Sequence, residues 1–391
     1  MLKGSLTRPL AVAMWDFSWL ERRWPGAGYE GWDQALDELK DRGYDAVRID
    51  AYPHLVARDP ERDWELLSVW NQQDWGSPAL NRIRIQPSLN QFIRKCAERD
   101  IKVGLSSWFR QDRDNTRMQI ETPEDLGRAW QKTLGSVADS GLLESILYVD
   151  LCNEWPQTKW APFLPRAGGA DPSRTSPAVQ LWMTESIAML REAYPDLDYC
   201  FSFNTQFDSW GQQDVSYMDL LELHIWMAQW SDFYERVGYG YERFEARGYE
   251  NLVQNAEPLY RADREHWKDR LYRGIELAAE WSLRSGKPLV TTEGWAVVDY
   301  KDWPLLSWGW VKELCEFGVK KALETERWVA LCTSNFCAPQ FVGMWRDVEW
   351  HKRLTDLIHS GSFTSLNRAT GKSPLEAKQP NSRAETGRST R

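Results

Sequence analysis

The sequence predicts an α/β protein, a (β/α)8 TIM barrel with enlarged βα loops. Short apolar runs and amphipathic segments alternate over about 350 residues, and the runs number eight. The runs are apolar throughout rather than alternating, as in parallel strands buried on both faces. A doubly wound sheet is the competing arrangement, but no Gly-rich phosphate turn follows the first run.

The elements follow in order. Pro9–Met14 is strand one, and residues 29–42 form a helix with apolar positions at Trp32, Ala35, Leu36 and Leu39. Tyr44–Ile49 is strand two, followed after a long loop by a helix near Ser88–Arg99. Ile101–Leu105 is strand three, and Pro123–Ser140 a helix with Thr122 as its cap and acidic residues in its first turn. Strand four ends in Asp150-Leu-Cys-Asn-Glu154, and the helix Pro177–Ala193 follows. Asp198–Phe203 and Asp219–His224 are strands five and six, with a long helix at Arg264–Ser285. Pro288–Glu293 is strand seven with Gly309–Glu324 as its helix; Trp328–Thr333 is strand eight, and Val348–His359 closes the ring.

Residues 1–361 therefore read as one catalytic-sized barrel. Residues 362–391 are rich in Ser, Thr, Lys and Arg and nearly free of large apolar side chains, and are expected to be a disordered basic tail. A net charge of −9 argues against nucleic acid or an anionic membrane as partner. The six cysteines form no CxxC pair, so neither a zinc knot nor a redox motif is signalled. Met1–Leu10 lacks the apolar run of a secretory leader and no 18-residue apolar stretch occurs, so a cytoplasmic protein is the expectation. Tryptophan is over-used, with 24 against 14 Tyr and 13 Phe. Many Trp sit in polar, loop-like company, including Trp15, Trp19, Trp24, Trp75, Trp108, Trp155, Trp160, Trp210, Trp230 and Trp303. Flat rings with a polar N–H suit the apolar faces of sugars, so a share of them is expected in a carbohydrate cleft and the rest in the core.

Glu154 and Glu293 stand where strands four and seven break into polar and aromatic residues. That is the carboxyl-terminal rim, where barrels carry their chemistry. Two carboxylates facing one another are the equipment for cleaving a glycosidic bond.

Asn153-Glu154 after strand four, Glu293 after strand seven, Arg48 in strand two and His224 ending strand six together resemble clan-A glycoside hydrolases, closest to the cellulase-like family 5. The resemblance spans roughly residues 9–360. It implies a retaining β-glycosidase for a small oligosaccharide or glycoside, working by double displacement without a cofactor or metal. Glu154 would be the acid/base, protonated at rest, and Glu293 the ionised nucleophile. Asn153 would hold the hydroxyl beside the reacting carbon, and Arg48 would keep Glu293 charged, unless it pairs with Asp16 or Asp50. Where the family has a Tyr donating to the nucleophile, this chain has Trp226; the indole N–H, or Tyr52 or Tyr300, would replace it. The family's Trp platform after strand eight is here Asn335-Phe336, which argues for a substrate other than plain cellulose. Trp295 would floor a sugar subsite or pack behind Glu293, and Asp16 and His54 would fix sugar hydroxyls in the first subsite or cap their loops. Trp108, Asn204 and Asn335 complete the candidates.

Two other readings share these residues. One is a catalytically silent carbohydrate-binding barrel. The other is a metal-dependent barrel hydrolase or isomerase using Asp16, His54, Glu154, His224 and Glu293, against which stand the absence of His-x-His after strand one and a total of five His. Insertions at 52–87 and 227–263 are expected to wall the cleft and favour exo action.

Overall fold

The computed structural model describes residues 6–70, 74–165, 168–240 and 246–364. Nearly all of the expected basic tail lies outside these residues. The eight parallel strands are Leu10–Asp16, Ala46–Asp50, Lys102–Ser106, Ile146–Asp150, a fifth in two pieces (Tyr199–Cys200 and Ser202–Phe203), Leu221–Leu223, Leu289–Thr291 and Trp328–Leu331. Leu10 pairs with Ala330 while Val12 pairs with Ala46, so the first strand joins the eighth to the second. The split fifth strand closes the ring: Tyr199 pairs with Val149 on one side of the break, and Ser202 with Glu222 on the other.

Local sequence explains the helices. Thr122 and Asp125 form a reciprocal capping box at Pro123–Asp139, with Pro at the first turn. Helices Pro177–Ala193, Arg264–Ser285 and Gly309–Glu324 have the predicted ends, and Gly286 closes the second of these at φ +69°. The first insertion holds the helix Pro53–Arg58 and an antiparallel hairpin, Asp63–Leu66 with Asn81–Arg84. All six cysteines are buried and free. Among the described residues no helix is long and apolar enough to cross a membrane.

Inside the barrel the apolar packing gives way to buried charge near the strands' carboxyl ends. Arg48, Asp150, Glu222 and His224 are all fully buried. Burial of unpaired ions costs several kcal/mol each, so such a cluster persists only when every charge meets a partner. Around it, Asp16, Tyr52, Phe109 and Glu154, at or just past the ends of the first four strands, all hold positive φ between 40° and 51°. Non-glycine residues keep that conformation only where their surroundings enforce it, and such residues concentrate at functional rims.

Candidate active site

Arg48 is the hub of the site. Its Nη1 donates to Glu293 Oε1 at 3.0 Å, and its Nη2 to Asp150 Oδ2 at 2.7 Å and Asn153 Oδ1 at 2.6 Å. Ser106 and Ser202 hydroxyls extend the network, both donating to Asp150 Oδ2. The guanidinium also lies 4.6 Å over the Trp108 ring. Neither Asp16 nor Asp50 is its partner; Asp50 instead accepts the backbone N–H groups of Tyr52 and Trp108.

His224 bridges the two glutamates. Its Nδ1 lies 3.1 Å from Glu154 Oε1 and 3.7 Å from Glu293 Oε1, and its Nε2 lies 2.9 Å from Glu222 Oε2. Glu154 Oε2 accepts the Trp160 indole N–H at 2.9 Å, and the Glu154 backbone N–H donates to Ser202 Oγ. One oxygen of each glutamate and Nδ1 of His224 all lie within 4.8 Å of one another.

These contacts set the resting charges. Burial pushes Glu293 up to about 7, and nearby Glu154 adds to the rise, while His224 and Arg48 oppose it. Burial acts on Glu154 in the same sense, but the hydrogen bond and charge of His224 outweigh it and hold this carboxyl below the usual range. Burial and the Glu154 charge thus favour a proton on Glu293, while the hydrogen bond and charge of His224 favour the anion on Glu154. Two groups this close titrate as a pair, and the form with Glu154 protonated is the other tautomer of one singly protonated dyad.

Above the dyad lies a pocket whose lining includes Asp16, Trp70, Trp75, Trp108, Lys159, Trp160, Asp299 and Asn335. Trp70 and Trp160 meet edge to face at 5.1 Å, with the Lys159 ammonium within 5.0 Å of both rings. Asp16 Oδ1 accepts the Ser18 N–H at 2.6 Å, while its buried Oδ2 and Asn335 Oδ1 have no hydrogen-bond partner. Burial lifts Asp16 to about 8 against the Ser18 hydrogen bonds.

Several expectations fail here. Trp295 is fully buried, donates to the Cys332 carbonyl and is absent from the pocket lining, because the chain turns it behind the seventh strand. His54 is buried against the Arg110 carbonyl, and burial lowers it to about 4; it serves the loop after strand two. Asn204 accepts from Gln157 and lies outside the pocket. The Trp226 indole N–H meets no partner; its ring packs edge-on against His224 instead. Tyr52 and Tyr300 donate to Phe17 and Ser307 carbonyls and do not replace the family's tyrosine. No described residue of the 227–263 insertion lines the pocket, whose wall includes Trp70 and Trp75 of the first insertion and Asp299 after strand seven. Of the loop-like Trp, only Trp75, Trp108 and Trp160 line it; Trp15, Trp19 and Trp155 are wholly buried.

Residues missed in the sequence carry as much of the site as those found. Asp150 and Glu222 are acids inside otherwise apolar strands, a visible signal, since a buried strand tolerates a charge only for a partner. Glu154, His224 and Glu293 are also the one group of three metal-ligating residue types brought together among the described residues. His224 offers no free lone pair there, because both ring nitrogens face carboxylates, and Arg48 already supplies the cation at Glu293. The donor set suits a proton-sharing cluster better than a metal centre.

A closed eight-stranded barrel with paired glutamates at the ends of strands four and seven defines the clan-A glycoside hydrolase fold. The chain belongs to the sugar-binding cellulase-like family, whose profile matches residues 12–359. It is similar to a solved candidate glycoside hydrolase from Parabacteroides distasonis ATCC 8503, at 52% identity and TM-score 0.90 over 93% of this chain and 97% of that one. Two remote structures share the fold. An endo-β-1,4-mannanase from Thermotoga petrophila has 13% identity and TM-score 0.53 over 92% of this chain and 78% of its own. A GH5 subfamily 18 variant from Streptomyces cattleya, in complex with Manβ1-4GlcNAc, has 12% identity and TM-score 0.51 over 90% and 80%. No curated protein sequence matches this chain.

Proposed function

We propose that this protein is a retaining β-glycosidase that removes a terminal sugar from a small oligosaccharide or glycoside. The observation that carries the reading is the approach of Glu154 and Glu293 to within 4.8 Å at the floor of the pocket. Carboxyl groups about 5–5.5 Å apart belong to double displacement, whereas inverting enzymes hold theirs apart to admit a water.

Glu293 attacks the anomeric carbon and forms a glycosyl–enzyme ester, while Glu154 gives its proton to the leaving oxygen. Glu154 then takes a proton from the water that opens the ester. The reactive form of the dyad carries its one proton on Glu154 and its negative charge on Glu293. Arg48 favours this form by its charge on Glu293. Asn153 spends its carbonyl on Arg48, which leaves its amide N–H groups for the hydroxyl beside the reacting carbon.

Trp70 and Trp75 wall the pocket, which supports exo rather than endo action. Asp16 Oδ2 and Asn335 Oδ1 are the unmet polar atoms available to sugar hydroxyls. The test is Glu293→Ala on a panel of aryl β-glycosides. Turnover should vanish with the fold intact, and added azide should restore release of the aryl group as an α-glycosyl azide. Near wild-type turnover in this variant would remove Glu293 as nucleophile, and activity lost to chelator would favour the metal-dependent reading.

A further inference from the structure

The geometry points to Glu222 as a positioning residue that holds His224 permanently as an imidazolium, and so sets the pH range in which the Glu154–Glu293 dyad keeps a single proton. This rests on the reading of those two glutamates as the catalytic pair.

Glu222 is the middle residue of the strand Leu221–Leu223 and is fully buried. Its Oε1 accepts the Thr292 backbone N–H at 3.1 Å and hydroxyl at 2.6 Å, and its Oε2 meets His224 Nε2 at 2.9 Å. A carboxyl group surrounded by donors is an acceptor only, so it is ionised and Nε2 carries the proton. At the other end of the ring Nδ1 faces oxygens of Glu154 and Glu293. A lone pair there would point at the Glu154 carboxylate oxygen 3.1 Å away; an N–H satisfies it. Both nitrogens therefore hold protons.

The remaining groups around the ring agree. Arg48 from the second strand and Lys159 from the loop after the fourth bring positive charge; Asp150 adds a carboxylate already bound by Arg48. Tyr148, Cys200 and Cys332, from the fourth, fifth and eighth strands, are kept neutral by burial. Burial works against the cation, but Glu222 and Glu293 overcome it and lift His224 to about 10. Burial likewise opposes the Glu222 anion, and His224 and Arg48 bring it down to about 2. His224 is then a fixed charge rather than a proton shuttle, and it lowers the affinity of both neighbouring glutamates for protons.

Glu222→Gln isolates this effect. The new amide can donate to Nε2 of a neutral ring, whose Nδ1–H still reaches Glu154, so orientation survives and charge is lost. Nitrogen-15 spectra of histidine-labelled protein, with His224 assigned by its absence in His224→Gln, should show both ring nitrogens protonated from about pH 5 to pH 9 in the wild type. In Glu222→Gln the ring should lose a proton within that window. Both limbs of the kcat/KM profile should move upward by about one pH unit, a tenfold change in proton affinity. A neutral wild-type His224 at pH 7 overturns the inference, even if Glu222→Gln fails to fold. Unmoved limbs in a folded, active Glu222→Gln also overturn it. The spectra need no turnover, so a protein inactive on every glycoside but with a cationic His224 would sink the catalytic reading and leave the charge assignment standing.

Discussion

Trp160 donates its indole N–H to Glu154 Oε2 at 2.9 Å, from a position six residues along the same loop. A neutral donor of this kind favours the ionised carboxylate by roughly 0.5–1.5 kcal/mol. The indole hydrogen bond expected between Trp226 and Glu293 is thus made by another tryptophan to the other glutamate.

Trp160→Phe should therefore raise the proton affinity of Glu154 and shift the alkaline limb of kcat/KM upward by up to about one pH unit. Trp226→Phe should lower thermal stability, since the ring is buried, but leave both limbs where they are. A pH–rate series on both variants decides it; a limb that moves with Trp226 and not with Trp160 contradicts the geometry.

Most of the barrel was legible because eight apolar runs and their amphipathic helices obey the two periods that strands and helices impose. Helix ends were read well where a cap marks them, as at Thr122. The break of strand five at Phe201 carries no local signal, for it comes from closing the ring. That Arg48, Asn153, Glu154, His224 and Glu293 come together was legible because they lie in or just past strands whose direction is fixed by the barrel. Trp295 and His54 could not be assigned between site and packing because alternation along the chain says which residues leave a strand, not which way a loop then turns them. Trp70 and Lys159 come from loops whose course no periodicity dictates.

Arg48→Met should harm both stability and chemistry. It strands Asp150, which is fully buried beside it, and breaking a buried pair costs about 3–5 kcal/mol. Denaturant melts should show that loss. In whatever folds, Glu293 loses the charge that favours its anion, so its proton affinity rises and the acidic limb moves to higher pH. An unmoved acidic limb would leave Arg48 a structural residue only.

Glu154→Gln should discriminate between leaving groups. Substrates with poorly acidic alcohols should lose activity by about 100-fold or more, the usual worth of general acid catalysis, while activated aryl glycosides lose far less in the first step. The alkaline limb should also disappear, because the group that must hold a proton is gone. Equal losses across a series of leaving groups would argue against the acid/base role.

Asp16 links the pocket to stability. Burial raises its folded pKa to about 8 from an unfolded value near 3.8, so between those values the unfolded chain releases a proton that the folded protein keeps. Stability from this group is intact below about pH 4 and declines as pH rises toward 8. Asp16→Asn keeps the shape and removes the titration. Its melting temperature should gain on the wild type progressively from pH 5 to about pH 8 and then level off. Its KM should rise more than its kcat falls, as expected for a group that binds a remote hydroxyl rather than the reacting centre. Parallel melting curves at every pH would show that Asp16 is ionised in the folded protein, and an unchanged KM would remove it from the sugar subsite.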